Sequence, residues 1–361
     1  MHSMSRGIQW WFESIDNTRR RRGAAMDRVG LGPKEMPHRV ILERPGLRLR
    51  FYGGRRGRPV ALLIPAPIKR YYIWDMLPHR SVVRHALEED FRVFLVEWTD
   101  PVGEVADYGL EDYAATLLDA CAKAIREVAG TDRLFLLGHS LGGVLAAIYA
   151  ALRPERTAAL ATIEAPLHFG EASGSFLPLL VFGPRAPAVA AWFNTIPGSL
   201  LSIISISASP TSFALERYAD LVKSMRSAEA LRGHLLVQRW TLDEAPMSRR
   251  LFEDVVERLY REDRFMRGTL KIAGKRLGPH DIRAPFLAVW DPRSLIVPPA
   301  SVIDFVQAAG SKVKCLLQYE GDVGVALAHV GAMMGENAHR HLWPQIFEWL
   351  QSLEAVPHHY H

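Results

Sequence analysis

Residues 138–143 read GHSLGG. A serine hydroxyl can take an acyl group if a base removes its proton and backbone donors stabilise the oxyanion that forms on the substrate. Here Gly138 and Gly142 flank Ser140 in a G-x-S-x-G pattern, with apolar RLFLLG leading in and apolar VLAAIYAAL leading out. A strand that turns sharply into a helix is the setting in which such a serine is held in strained backbone with its hydroxyl above a sheet. The plainer alternative is a glycine-rich turn with no chemistry, and the strand-then-helix context weighs against it.

A base is required, and fourteen histidines are available. His329, in DVGVALAHVGAMMG, follows the last apolar strand-like run KCLLQY and precedes the terminal helical pattern HRHLWPQIFEWL. That is the place of the base in the serine, acid, histidine order of an α/β hydrolase. His139 is expected to pack or hydrogen-bond at the turn, His168 to face the pocket, and HHYH at 358–361 to form a solvated tail. The oxyanion needs two N–H donors. Leu141 supplies one; the other comes from the loop after VALLIP, where Pro65 and Pro67 have no N–H, leaving Ile68 ahead of Ala66.

The elements that must carry these residues are legible as alternation. RVILERPGLRLRFYG suggests a hairpin, and VALLIP, RVFLVEW, RLFLLG, AALATIE and APFLAVW are short apolar runs separated by helical patterns such as SVVRHALEED and LEDYAATLLDACAKAIREVAG. Repeated β and α units predict a mostly parallel central sheet with helices on both faces. The rhythm fails across 167–270, where Pro-broken apolar residues precede RRLFEDVVERLYRED. The expected organisation is an amphipathic, basic extension at 1–38, core at 39–166, a helical cap insertion at 167–270, and core again at 271–361. The stretch near 176–206 is too apolar for solvent and is expected to line an acyl pocket, with Phe182 and Trp192 as substrate-binding residues. Tyr71, Tyr72 and Trp74 are read as core aromatics with a pocket edge open to them.

Composition limits the alternatives. A chain of 361 residues, 48% hydrophobic, can bury a large core. Its 44 basic and 39 acidic residues are well mixed, so the net charge of +5 points to no nucleic-acid footprint. Cys121 and Cys315 lack metal-ligand or disulfide-framework spacing, so no metal and no bound cofactor is expected and a reducing, cytoplasmic location fits. No secretory signal pattern opens the chain, and prolines and Arg185 break the apolar run 176–193, so no transmembrane segment is expected.

Longer strings carry a family likeness. IPAPIKRYYIWDMLPHRSVVRHALEEDFRVFLVEWTDP at 64–101, RWTLDEAP, FMRGTLKIAGKRL, IVPP at 296–299 and HVG at 329–331 resemble the polyhydroxyalkanoate synthase family over about residues 60–350. The resemblance implies an α/β-hydrolase core, a cap, and acyl transfer from hydroxyacyl-CoA thioesters. It breaks at two positions. The synthases carry cysteine where this chain has Ser140, and Ser294 stands where the family has its aspartate. A working site then needs another carboxylate to orient the histidine. Glu164, at the end of ATIE, and Asp291, at the end of its strand, both stand as candidates, Glu164 first, with Asp322 third.

The expectation is therefore a serine-dependent hydrolase of acyl esters or thioesters, including hydroxyacyl and polyester substrates. Two alternatives stay open: a synthase-type acyltransferase, and a non-catalytic granule- or membrane-associated binding protein using residues 10–22 as an interfacial helix. Peripheral contact with a granule or membrane and homo-oligomerisation also stay open as partners.

Overall fold

The structure, a computed structural model, describes residues 2–354, with side chains from Gly7 onward; the HHYH at 358–361 lies outside the described residues. Eight strands form the central sheet: β1 (Arg39–Arg44), β2 (Leu47–Gly53), β3 (Val60–Ile64), β4 (Arg92–Trp98), β5 (Leu134–His139), β6 (Thr157–Ile163), β7 (Phe286–Trp290) and β8 (Lys314–Gln318). They lie in the order β1-β2-β4-β3-β5-β6-β7-β8. Only β2 runs against both of its neighbours, and every pairing from β4 to β8 is parallel.

The strands sort their side chains by alternation, as buried parallel strands must. Leu62, Phe94, Leu136, Leu160 and Phe286 face a core completed by the helices Leu117–Ala129, Leu141–Leu152 and Pro299–Ala308. Leu63, Leu95, Leu137, Ala161 and Leu287 face the other side, against Val82–Glu88 and the C-terminal helix Trp343–Glu354, whose Trp343, Ile346, Phe347 and Leu350 are buried. All twelve residues of Leu141–Leu152 are buried, which is why that helix is apolar on every side.

Between β6 and β7 the chain leaves the sheet and builds a layer of helices above its C-terminal edge, among them Leu177–Phe182, Gly198–Ala208, Glu216–Ser224 and Ala228–Thr241. The N-terminal helix His2–Met26 fastens onto this layer. Arg19 donates to Ser202 Oγ at 2.9 Å and pairs with Glu244 at 2.9 Å, Asp16 accepts from the Ser199 N–H at 2.8 Å, and Arg239 grips Asp27 with two bonds. No single described helix is long and apolar enough to cross a membrane; Gly198–Ala208 and Thr211–Ser224 pass that test only together, bent by 110°.

Candidate active site

The turn at Ser140 is built by the absence of side chains around it. A Cβ on Gly142 would sit 2.1 Å from the Ile64 carbonyl oxygen, and one on Gly143 would sit 2.5 Å from Ala165 Cβ. Only glycine lets the helix start so close to β3 and β6. Ser140 itself takes φ 54° and ψ −131°, strained for a residue with a side chain, and is held there by its N–H bond to Ile163 O at 3.0 Å.

The register pairs His139 with Ile163, so Ser140 and Glu164 leave adjacent strands at the same level. Glu164 also has positive φ, 43°, and its N–H bonds Val289 O at 3.0 Å. His329 arrives from the turn Ala328–Val330, beyond β8. Its Nε2 lies 3.0 Å from Ser140 Oγ and its Nδ1 lies 3.2 Å from Glu164 Oε2. With Nδ1 protonated, His329 donates to Glu164 and leaves Nε2 to accept from the serine hydroxyl. The structure thus brings together Ser140, His329 and Glu164.

Asp291 is not part of this chain of bonds. It is buried beside Glu164, but its oxygens accept from the Arg293 backbone N–H at 2.8 Å and from the Arg293 guanidinium at 3.1 Å. The turn after β7 curls its own arginine onto the carboxylate before the histidine can reach it. Asp322 is likewise occupied, accepting from Tyr319 Oη at 2.7 Å and from the N–H of Asn337 at 2.8 Å. Ser294 Oγ accepts from the Val297 N–H at 3.1 Å, a turn-stabilising bond.

The site is dry. Burial, reinforced by the nearby charge of Asp291, pushes the Glu164 carboxyl well above its ordinary range despite Arg293, and Glu164 Oε1 has no hydrogen-bond partner among the described residues. Burial, with a smaller push from the Lys69 ammonium, lowers His329 to about 4. A histidine so shifted is neutral, and able to accept a proton, throughout the neutral range. His139, lowered by burial to about 3, is a neutral ring whose Nε2–H reaches the His329 carbonyl at 3.0 Å. The sequence placed His139 at the turn but gave no hint that it props the histidine's backbone.

Leu141 opens the buried helix, so its N–H has no intrahelical partner and points out of the helix's positive end. Neither it nor the Ile68 N–H has a hydrogen-bond partner among the described residues, and both residues line the cavity that holds Ser140. Trp98 Nε1 steadies the Ile68 loop by donating to Pro65 O at 2.7 Å.

That cavity, about 450 Å³, is walled by Phe176, Leu180, Val189, Leu201, Ile204, Phe213, Val255 and Tyr260 from the insertion and closed below by Ser140 and His329. Two expected lining residues are elsewhere. Phe182 is 88% exposed, at the end of a helix of six residues whose other face supplies Leu179 and Leu180 to the cavity. Trp192 packs, half-buried, against the core and does not line the cavity. His168 is also outside, held between Asp263 at 3.5 Å and Asp304 at 3.4 Å. Of the three aromatics after β3, Trp74 reaches the cavity, while Tyr72 bonds Asp243 and Tyr71 bonds Glu35.

Known proteins give the same reading of the architecture. A family model described as alpha/beta hydrolase fold matches residues 77–314. The poly(3-hydroxyalkanoate) polymerase subunit PhaC of Haloferax mediterranei is 26% identical over 350 residues, spanning 93% of this chain and 68% of that protein. The same subunit from Allochromatium vinosum is 25% identical over 326 residues, 89% of each chain. The likeness to the synthases read from the quoted strings thus extends over most of the chain. Among solved structures, a membrane phospholipase A described as a bacterial virulence factor matches with a TM-score of 0.55 at 17% identity, over 99% of this chain and 100% of that one. A soluble variant of monoglyceride lipase from Saccharomyces cerevisiae matches with a TM-score of 0.56 at 13% identity, over 90% of this chain and 96% of that one. At such identities the structural likeness speaks for the fold. The strand order, the strained turn at Ser140 and the matched segment agree: the chain is an enzyme that belongs to the alpha/beta hydrolase fold family.

Proposed function

We propose that this enzyme forms an acyl-enzyme on Ser140 from an ester or thioester with an apolar acyl group. The observation that carries the reading is the continuous path from Ser140 Oγ to His329 Nε2 to Glu164, at 3.0 and 3.2 Å, opening on an apolar cavity. Ser140 Oγ attacks the acyl carbonyl as His329 Nε2 takes its proton, and Glu164 offsets the imidazolium so formed. The N–H groups of Leu141 and Ile68 hold the oxyanion. Collapse of the tetrahedral intermediate expels the alcohol or thiol, which takes the proton from His329. A second acceptor then repeats these steps against the acyl-serine.

For that second acceptor we favour the hydroxyl of another hydroxyacyl group, the synthase-type reaction, because the relatives that match most of the chain are poly(3-hydroxyalkanoate) polymerase subunits. Release to water is the second reading, favoured by Ser140: an acyl-serine exchanges with thiols less readily than an acyl-cysteine. Residues 167–270 serve as the cap over the acyl chain. A cytoplasmic location accords with the free Cys121 and Cys315. Peripheral contact with a granule or membrane surface has its support in the exposed Trp10 and Trp11.

The test is incubation with hydroxyacyl-CoA thioesters and with nitrophenyl esters, following free coenzyme A, free acid and solvent-extractable polymer. Polymer supports transfer, and stoichiometric free acid supports hydrolysis. Ser140→Ala should abolish both and prevent covalent labelling by a fluorophosphonate, and labelling that persists in that variant overturns the assignment.

A further inference from the structure

His329 stands on the least regular part of the core. After β8 the chain runs through residues 319–327 with neither helix nor strand before the turn Ala328–Val330. Two carboxylates hold this loop. From within the core, Asp322 fixes its base through Tyr319, Asn337 and Ala338. From the insertion, Asp220 on the helix Glu216–Ser224 fixes its tip: Oδ1 accepts from the Gly324 N–H and Oδ2 from the Ala326 N–H, each at 2.8 Å.

The loop does not take this shape cheaply. Gly324 has φ 82° and Ala326 φ 58°, and for alanine the left-handed conformation costs about 1 kcal/mol or more. Alternating backbone of this kind turns neighbouring N–H groups towards one point, where a carboxylate fits. A Cβ on Gly324 would meet the Ala230 carbonyl at 2.5 Å, so the loop also lies tight against the helix Ala228–Thr241.

Asp220 is itself held. His234, fully buried on Ala228–Thr241, donates from Nδ1 to Asp220 Oδ2 at 2.7 Å, and the Gln238 amide approaches His234 Nε2 at 3.2 Å. Burial would raise the Asp220 pKa, but the bonds from His234, Ala326 and Gly324 outweigh it and hold the carboxyl below its usual value. The ionised form is the one that this geometry uses.

The helix that carries Asp220 continues directly from Thr211–Leu215, whose Phe213 lines the acyl cavity, and the preceding helix Gly198–Ala208 contributes Leu201 and Ile204. One continuous stretch therefore touches the substrate cavity at one end and the histidine loop at the other. We infer that Asp220 is a positioning residue through which the cap sets His329: an acyl chain that seats Phe213 and its neighbours holds the Asp220 helix down, and the helix holds the histidine in line with Ser140. The inference rests on the assignment of Ser140 and His329 above. It makes the cap part of the proton relay's alignment as well as a cover for the acyl chain.

The experiment compares Asp220→Asn, Asp220→Glu and His329→Ala in the full-length protein by fluorophosphonate labelling rate and by kcat and KM on a nitrophenyl ester, far below the unfolding temperature. An ångström-scale misplacement of a catalytic group can cost about 100-fold. In Asp220→Asn the amide presents two donors to a site built from donors, so labelling and kcat should fall together by about 10- to 100-fold, with KM changed by less than about threefold. Asp220→Glu should recover part of that loss. His234→Gln, which keeps the Asp220 charge and removes one of its supports, should show a loss of a few fold and serves if Asp220→Asn does not fold. Wild-type labelling rates in Asp220→Asn, or in His234→Gln where only that variant folds, overturn the inference. If His329→Ala also labels at the wild-type rate, it is the assignment of the base that has failed.

Discussion

The ends of β6 and β7 lie side by side in the sheet, and each delivers a carboxylate that is almost wholly buried. Glu164 and Asp291 differ in company. Asp291 is followed two residues later by an arginine that folds back onto it, whereas no cation stands near Glu164 in sequence, and among the described residues its side chain bonds His329 alone. A strand-end carboxylate is thus raw material, and its role is decided by whether a local cation claims it first.

The strongest way to break this comparison is to remove each charge in turn. Glu164→Gln should lower kcat by about 10³- to 10⁴-fold, since it supports the wrong histidine tautomer and leaves the imidazolium unopposed. Asp291→Asn should change kcat by less than about tenfold, acting only through its field on Glu164. Steady-state kinetics on a nitrophenyl ester measure both, and equal losses would mean that the two strand ends share the task.

A second test uses pH. His329 is held low by burial, so its neutral form persists until pH drops through about 4, and Glu164, whose carboxyl burial pushes up, is the group whose protonation should take activity away first as pH falls. The acid limb of kcat/KM for the free enzyme should therefore belong to Glu164 rather than to His329. In Glu164→Gln, which has no carboxyl to protonate, the residual activity should keep only the His329 limb, near 4.

The smallest effect belongs to Ser294, where the synthase resemblance puts an acid. It only caps a turn, through Val297, so Ser294→Ala should leave kcat within about twofold and cost about 1 kcal/mol in chemical unfolding.

Much of this was readable before any coordinates. Short apolar runs, each closed by proline, glycine or charge, locate all eight strands, and β3 to β7 read most clearly because a strand buried on both faces leaves few other sequences open to it. Ser140 was legible because its glycines answer a steric demand within a few residues. Glu164 was legible by default, once Ser294 lacked a carboxyl. What escaped was whatever depends on contacts distant in sequence. Nothing near His139 announces a bond to the carbonyl of His329, and nothing near Asp220 announces the backbone it grips at Gly324 and Ala326. Phe182 was misplaced for another reason: a helix of six residues opening on a proline is too short for its apolar face to be read from spacing.

Ser140 and Glu164 close two paired strands of one β-α-β unit in the middle of the sheet, while His329 rides on an irregular loop. The three partners therefore differ in how much of the protein must open to displace them. Warming would loosen the loop long before the sheet, so catalysis should fade while circular dichroism still reports an intact fold. On cooling it should return without refolding. A heat-inactivation curve for this enzyme is then a measurement of one loop, and its midpoint sits below the melting temperature of the protein that carries it.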